Sequence, residues 1–291
     1  MFNLTLSPNQ AEIIAKPGAT ISHLITVTNN SGDTLFLTTS VKPWLPGPTP
    51  GQPDFRLAPN NPDIIFFLNN PDLKLGQTFQ LAPRQTKQLT LGFNVASPSP
   101  PKDFYYTFFV SQDPAVTLNS TPNQSVSLAQ IGSNILLSVS DTQYPKLEAK
   151  LTEISVTPLF KDSFLTPVTF NAKMANLSNH FSRFTGNIAI SKNNKPFTSL
   201  QLYPDTVLVG EHRPIRCFVP PANPSLPPSS PTGCQLPPPL WPGFYTATFT
   251  LDQSPNSSFS RTFFVAPYTL ILPLLIIITL IFLLRRQKPK V

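Results

Sequence analysis

Proline recurs 36 times along these 291 residues. It has no amide hydrogen to give a helix or a sheet ladder, so each one must fall in a turn, at a strand edge or in a loop. Long helices are thereby excluded from most of the chain. Between the prolines, Val, Ile, Thr, Phe and Leu alternate with polar residues, the period-two pattern of half-buried strands. Aromatic residues make up 11% of the sequence, 23 of them Phe, and charged residues only 12%. That is enough apolar surface to build cores, and it is not the composition of a disordered chain. The formal net charge is +7, but Arg285, Arg286, Lys288 and Lys290 supply four of those charges and leave +3 for the rest. A nucleic-acid role finds no support, because no dense basic stripe exists to track a phosphate backbone.

One segment departs from the strand pattern. Phe263–Leu284 reads FFVAPYTLILPLLIIITLIFLL, with no charge over 22 residues. At ~1.5 Å per residue it matches the roughly 30 Å hydrocarbon core of a bilayer. Pro273 is tolerable inside a transmembrane helix, and Tyr268 near one end suits the membrane interface. A buried core helix is the weaker alternative, since the run is apolar on every face. RRQKPK follows at once, whereas the nearest basic residue on the other flank is Arg261. Arg285, Arg286, Lys288 and Lys290 are therefore the topology determinants: they place 285–291 as a basic cytoplasmic tail and residues 1–262 outside the cell. MFNLTLSPNQ has neither the basic n-region nor the apolar h-region of a signal peptide. The expectation is a leader upstream of Met1, with a tail-anchored protein facing the cytosol as the alternative.

Before the span, the strand pattern runs through twice. Ile21–Val27 alternates and closes on TNNS; LAPRQTKQLTLGFNV forms a turn and strand up to Val95; FYYTFFVS begins at Phe104 and ILLSVS at Ile135. Later, Val168–Ala175 alternates and closes on NLSN; VLVGEHRPIRCFV ends at Val219; GFYTATFTL begins at Gly243. The same landmarks in the same order predict two related sandwiches of seven or eight strands, over 1–141 and 146–262, separated by the polar turn DTQYPK. The second carries a proline-rich insertion over 219–241. The fold class is all-β: two immunoglobulin-like β-sandwich domains in tandem, followed by one transmembrane helix over 263–284. Inward-facing core rings account for the aromatic strands better than a sugar-stacking face does.

Catalytic chemistry has little footing. His23, His180 and His212 complete no HExxH pattern, no GxSxG or phosphate-cradling loop occurs, and the 14 carboxylates are scattered. No cofactor and no metal site is expected. Cys217 and Cys234 flank 16 residues that include ANPSLPPSSPTG, too proline-rich for regular structure. A disulfide here is favoured; it would stiffen a protruding arm and stabilise by ~3 kcal/mol through the unfolded chain. Free thiols and a metal site are the alternatives. Trp44 and Trp241 lie in similar contexts, KPWLPGP and PLWPGF, where an indole either plugs a sandwich core or stacks on a ligand. The stretch from Trp44 to Asp54 reads as an extended polyproline-like loop. Asn3, Asn29, Asn119, Asn123, Asn176 and Asn256 begin Asn-x-Ser/Thr triplets, of which Asn29 and Asn176 are better explained as turn residues.

With Pro17 and Gly18 ahead of the strand that closes on TNNS, the LAPRQTKQLTL turn, FYYTFFVS with IGSNILLSVS, MANLSN and WPGFYTATFTL, the chain resembles the WxL-interacting protein family of Gram-positive cell surfaces. That resemblance implies a peptidoglycan-binding sandwich, a second sandwich that binds host or surface proteins, a transmembrane helix and a short basic tail. The expected function is that of a non-enzymatic, membrane-anchored surface protein, with cell-wall polymer or other surface proteins as partners. The alternatives are a cytosolic adaptor built on a major-sperm-protein-like domain and, more remotely, a carbohydrate-active enzyme.

Overall fold

The computed structural model describes residues 2–49, 51–56, 58–59, 61–113, 129–142, 146–162, 167–219 and 229–286. The chain divides into two compact units, Met1–Lys146 with Asn179–Phe181, and Leu147–Ser178 with Ser182–Val291.

The first unit contains β1 (Leu4–Ser7), β2 (Gln10–Ala15), β3 (Thr20–Asn29), β4 (Leu35–Pro43), β5 (Leu45–Pro46), β6 (Pro53–Asp54), β7 (Ile64–Leu68), β8 (Phe79–Leu81), β9 (Thr86–Val95), β10 (Lys102–Gln112) and β11 (Gln130–Val139). A four-stranded sheet runs β1-β3-β9-β7 and a five-stranded sheet β2-β11-β10-β4-β8. Alternate residues of both face one core: Ile25, Val27, Leu89, Leu91 and Phe93 from the first sheet, and Leu37, Phe108, Val110, Ile135 and Leu137 from the second. This is an immunoglobulin-like sandwich. Its opening strand is divided between the sheets. β1 runs antiparallel to β3, the ladder breaks at the Ser7–Pro8 cis peptide, and β2 then runs parallel to β11.

The second unit contains β12 (Ala149–Thr157), β13 (Phe160–Asp162), β14 (Val168–Asn176), β15 (Ser182–Arg183), β16 (Gly186–Lys192), β17 (Lys195–Gln201), β18 (Thr206–Val207), β19 (His212–Pro214), β20 (Cys217–Val219), β21 (Ser229–Thr232), β22 (Cys234–Leu236), β23 (Gly243–Leu251), β24 (Ser254–Ala266) and a helix, α1 (Tyr268–Arg286). In one sheet β14 lies between β12 and the short strands β19 and β22; the other runs β13-β24-β23-β16-β17. Phe170, Met174, Ile188, Tyr245, Phe249 and Phe263 fill the core between them. The opening strand is divided here as well. β12 pairs with β14, the chain turns at Thr157–Pro158, and β13 runs parallel to β24. Each unit thus has four strands in one sheet and five in the other, more than the expected seven or eight because each opening strand counts twice.

The strongest internal echo is a pair of buried asparagines. Asn29, at the end of β3, donates from Nδ2 to the carbonyls of Asp33, Leu81 and Ala82, and its Oδ1 accepts from the Ser31 amide and hydroxyl. Asn176, at the end of β14, donates to the Val207 carbonyl at 2.9 Å and accepts from the Ser178 amide at 2.8 Å. Both are at most 1% exposed. Each is an Asx-turn that also ties down a distant loop, so the Asn-x-Ser triplets at these positions are structural.

Two expected boundaries move. Phe263–Ala266, expected within the span, are the last residues of β24, with Phe263 and Val265 buried in the core. Their alternation places every second side chain inside, which an apolarity count cannot see. Pro267 then ends the strand and α1 begins at Tyr268. Among the described residues no helix is long and apolar enough to cross a membrane; of 281–286 only the backbone is described.

Replacing Asn29 by Ala leaves three carbonyls and the Ser31 amide without their partner, and a loss of about 3 kcal/mol is expected in urea denaturation. Asn176→Ala is expected to be destabilising in the same assay, because it removes the bonds to the Val207 carbonyl and the Ser178 amide.

Candidate binding surfaces

The two tryptophans, alike in sequence, differ in structure. Trp44 follows β4, is buried, and stacks on Tyr105 with ring centroids 5.0 Å apart. It plugs the first unit, and its indole N–H has no partner among the described residues. Trp241 precedes β23 and is 75% exposed, while its carbonyl accepts a 2.7 Å bond from the buried Tyr245 hydroxyl. Trp241 alone of the pair is available to a ligand. The segment after Trp44 is a small hairpin rather than an extended polyproline-like loop: β5 pairs with β6, and the Gly47 amide donates to the Gln52 carbonyl at 2.8 Å.

Cys217 and Cys234 are joined by a disulfide. Both lie in the hydrophobic core of the second unit, at 3% and 0% exposure. Parts of the 219–241 insertion are regular, against expectation. β20 pairs with β21, and β22 joins the main sheet beside β14, with Leu236 and Leu240 buried. Apolar residues spaced between the prolines supply that register. Residues 220–228 lie outside the described residues. Beside the disulfide, Asp205 accepts two bonds from the Arg216 guanidinium, which also lies 5.1 Å over the Tyr203 ring and is held protonated by that carboxylate.

The histidines do not form a reactive centre. His23 lies on β3, half-buried, with Nε2 unpartnered among the described residues; burial lowers its pKa from 6.5. His212 lies on β19 and is exposed. His180 belongs to the first unit, where Ser138 Oγ lies 2.6 Å and Asp103 Oδ1 3.1 Å from the same ring nitrogen, Nδ1. A nucleophile relay needs the hydroxyl and the carboxylate on opposite nitrogens. Asp103 also accepts from the Phe181 amide and the Tyr105 hydroxyl. Burial raises its pKa against these bonds. The cluster is a buried polar tie. Among the described residues no group of His, Cys, Asp and Glu is arranged to hold a metal.

The surface that sequence reasoning missed is a strand edge. β2 covers only Asn134–Val139 of β11, and the buried Ser133 hydroxyl donates to the Pro8 carbonyl at 2.7 Å, so among the described residues no strand is hydrogen-bonded to Gln130–Gly132 on that side. The Asn134 amide donates toward β2, to Asn9. By alternation, Gln130 and Gly132 turn their backbone N–H and C=O to the open edge. Pro8 was the available signal, because it limits how far the opening strand can follow β11. Of the topology determinants, Arg285 and Arg286 end α1, while Lys288 and Lys290 lie outside the described residues.

No protein-family model matches the sequence, and no curated protein matches it. Among solved structures, the chain is similar to the E. coli chaperone DraB, at 11% identity and a TM-score of 0.39 over 91% of this chain and 98% of that one. It is similar to the class 5 fimbriae chaperone CfaA at 12% and 0.41, over 91% and 100%. A third is the CsuC–CsuE chaperone–tip adhesion subunit pre-assembly complex of Acinetobacter baumannii, at 11% and 0.36, over 90% and 98%. Likenesses at these TM-scores say nothing about function; the sandwich assignment stands on the strand order.

Reducing the protein, or replacing both cysteines by Ser, is expected to lower stability by about 3 kcal/mol. The check is denaturation of the second unit with and without dithiothreitol.

Proposed function

We propose that this chain is a non-enzymatic, membrane-anchored surface protein that engages extended partners along the open edge of β11. The observation that carries the anchoring is the passage of β24, through Pro267, straight into an apolar helix that the sequence follows with RRQKPK. The folded part then lies wholly on one side of the bilayer, and the positive tail on the other. The buried disulfide supports an oxidising exterior for the sandwiches over the cytosolic alternative. An open strand edge recognises another backbone by main-chain hydrogen bonds, with alternate side chains giving selectivity. The resemblance to the WxL-interacting family supports cell-wall polymer and other surface proteins as the partners.

Protease shaving of intact cells tests sidedness, with an epitope inserted between Val219 and Ser229. Loss of the epitope while a tag at Val291 is protected supports the outward orientation; survival of the epitope until the membrane is opened overturns it. For the edge, Gln130→Pro removes one outward amide and leaves the β10 ladder intact. Retention of the purified chain on cell walls isolated from the expressing cells is expected to fall about tenfold, the loss of roughly 1.4 kcal/mol.

A further inference from the structure

At one end of the second sandwich, exposed rings and lysines gather where the helix begins. The register fixes this. Gly243 pairs with Val265 and Phe244 with Phe264, so the start of β23 lies beside the end of β24. Lys192 pairs with Tyr245 at the end of β16, and with Lys195 across the β16–β17 turn. In that turn Asn193 and Asn194 both have positive φ, +49° and +63°, as a tight two-residue hairpin requires. β13 ends at Asp162, opposite Ala266. Trp241, Phe244, Lys192, Lys195 and Tyr268 therefore share one end of the sheet with the first turn of α1.

This end is built unlike a soluble surface. Trp241 is 75% exposed, Phe244 61%, Leu159 54% and Tyr268 39%. Phe244 packs on Phe264 with centroids 4.8 Å apart, so these two rings form one apolar surface at this end. Large exposed apolar patches mark interaction sites. Neither Lys192 nor Lys195 pairs with a carboxylate among the described residues. Asp162, a carboxylate at the same end, is turned to the helix: it accepts from the Thr269 amide at 2.7 Å and from the Thr269 hydroxyl. That bond fixes the first turn of α1 to β13. Indole and phenol rings favour the interfacial layer of a bilayer, and ammonium groups favour anionic headgroups.

We propose that this end of the second sandwich is a lipid-facing footprint: Trp241, Phe244 and Leu159 sit in the interfacial layer of the bilayer that holds α1, and Lys192 and Lys195 meet anionic headgroups. The footprint rests on the anchoring reading above. It makes the sandwich a body seated on the membrane rather than one swinging on a tether.

The test uses the full chain reconstituted into vesicles containing anionic lipid, with or without bromine on the acyl chains near the headgroup. The two tryptophans make it internal, since Trp44 is buried. Brominated lipid is expected to cut wild-type emission by about half and to leave the Trp44 emission of Trp241→Phe unchanged. Lys192→Glu with Lys195→Glu is expected to weaken the quenching in anionic vesicles. Resistance to alkaline carbonate extraction reports α1 separately. Resistance without Trp241 quenching overturns the footprint and leaves the anchor standing. Quenching with extraction supports the footprint as a peripheral contact and overturns the anchor. Neither quenching nor resistance overturns both, as would an indole that quenches only when a soluble protein partner is added.

Discussion

Each sandwich depends on an opening strand that serves both sheets. Two sheets that share a core still need their borders closed, and a strand that changes sheets closes one border with covalent chain. The change falls at a proline in both units, Pro8 and Pro158, because a residue without an amide hydrogen ends one ladder and frees the chain to join another. The second half of the strand then runs parallel to the unit's last strand. The two surfaces proposed for function follow from this. In the first unit, β2 begins at Gln10 and reaches only part of β11, which among the described residues leaves Gln130–Gly132 without a neighbouring strand. In the second, β13 runs beside the end of β24 and brings Asp162 to the first turn of α1.

Much of this was legible in the sequence, for reasons that can be named. The strand-to-Asn-Ser turns were visible because Asn29 and Asn176 are needed for their side-chain geometry, so the residue type carries the information. The aromatic strand β23 was visible through alternation, and β10 through its nearly unbroken run of aromatic residues. The opening strands were not: β1, β2 and β13 have only four, six and three residues, too few to show a period, and a proline interrupts each opening strand. β17 was hard to see, because Lys195 and Pro196 look like loop and only the two left-handed asparagines before them mark a hairpin. The contrast between Trp44 and Trp241 was hidden for a different reason. Identical neighbours, Pro and Gly, do not say whether a ring has a partner, and Tyr105, which covers Trp44, lies 61 positions away.

The buried polar groups show why residue lists mislead about chemistry. Ser138, His180 and Asp103 have the identities of a hydrolase relay, yet both oxygens address one ring nitrogen. Polar groups taken from water must find partners or destabilise the fold, and these find one another. Asn29 meets the same demand with five bonds. In both cases hydrogen-bond satisfaction gives the residues a structural role.

Two of the sheet edges are treated differently. β17 is an edge strand, exposed along nearly its whole length, and it begins Lys195–Pro196, a charge and a missing amide of the kind that discourage pairing with another chain. The part of β11 with no neighbouring strand among the described residues reads Gln-Ile-Gly and carries neither device. An undefended edge is a hazard in a protein with no use for it, because any extended segment can add to it. Its survival beside a defended one, in the same chain and on the same kind of sandwich, favours an edge that is kept open for a partner. On the proposed reading, recognition falls to the first sandwich and attachment to the aromatic end and helix of the second.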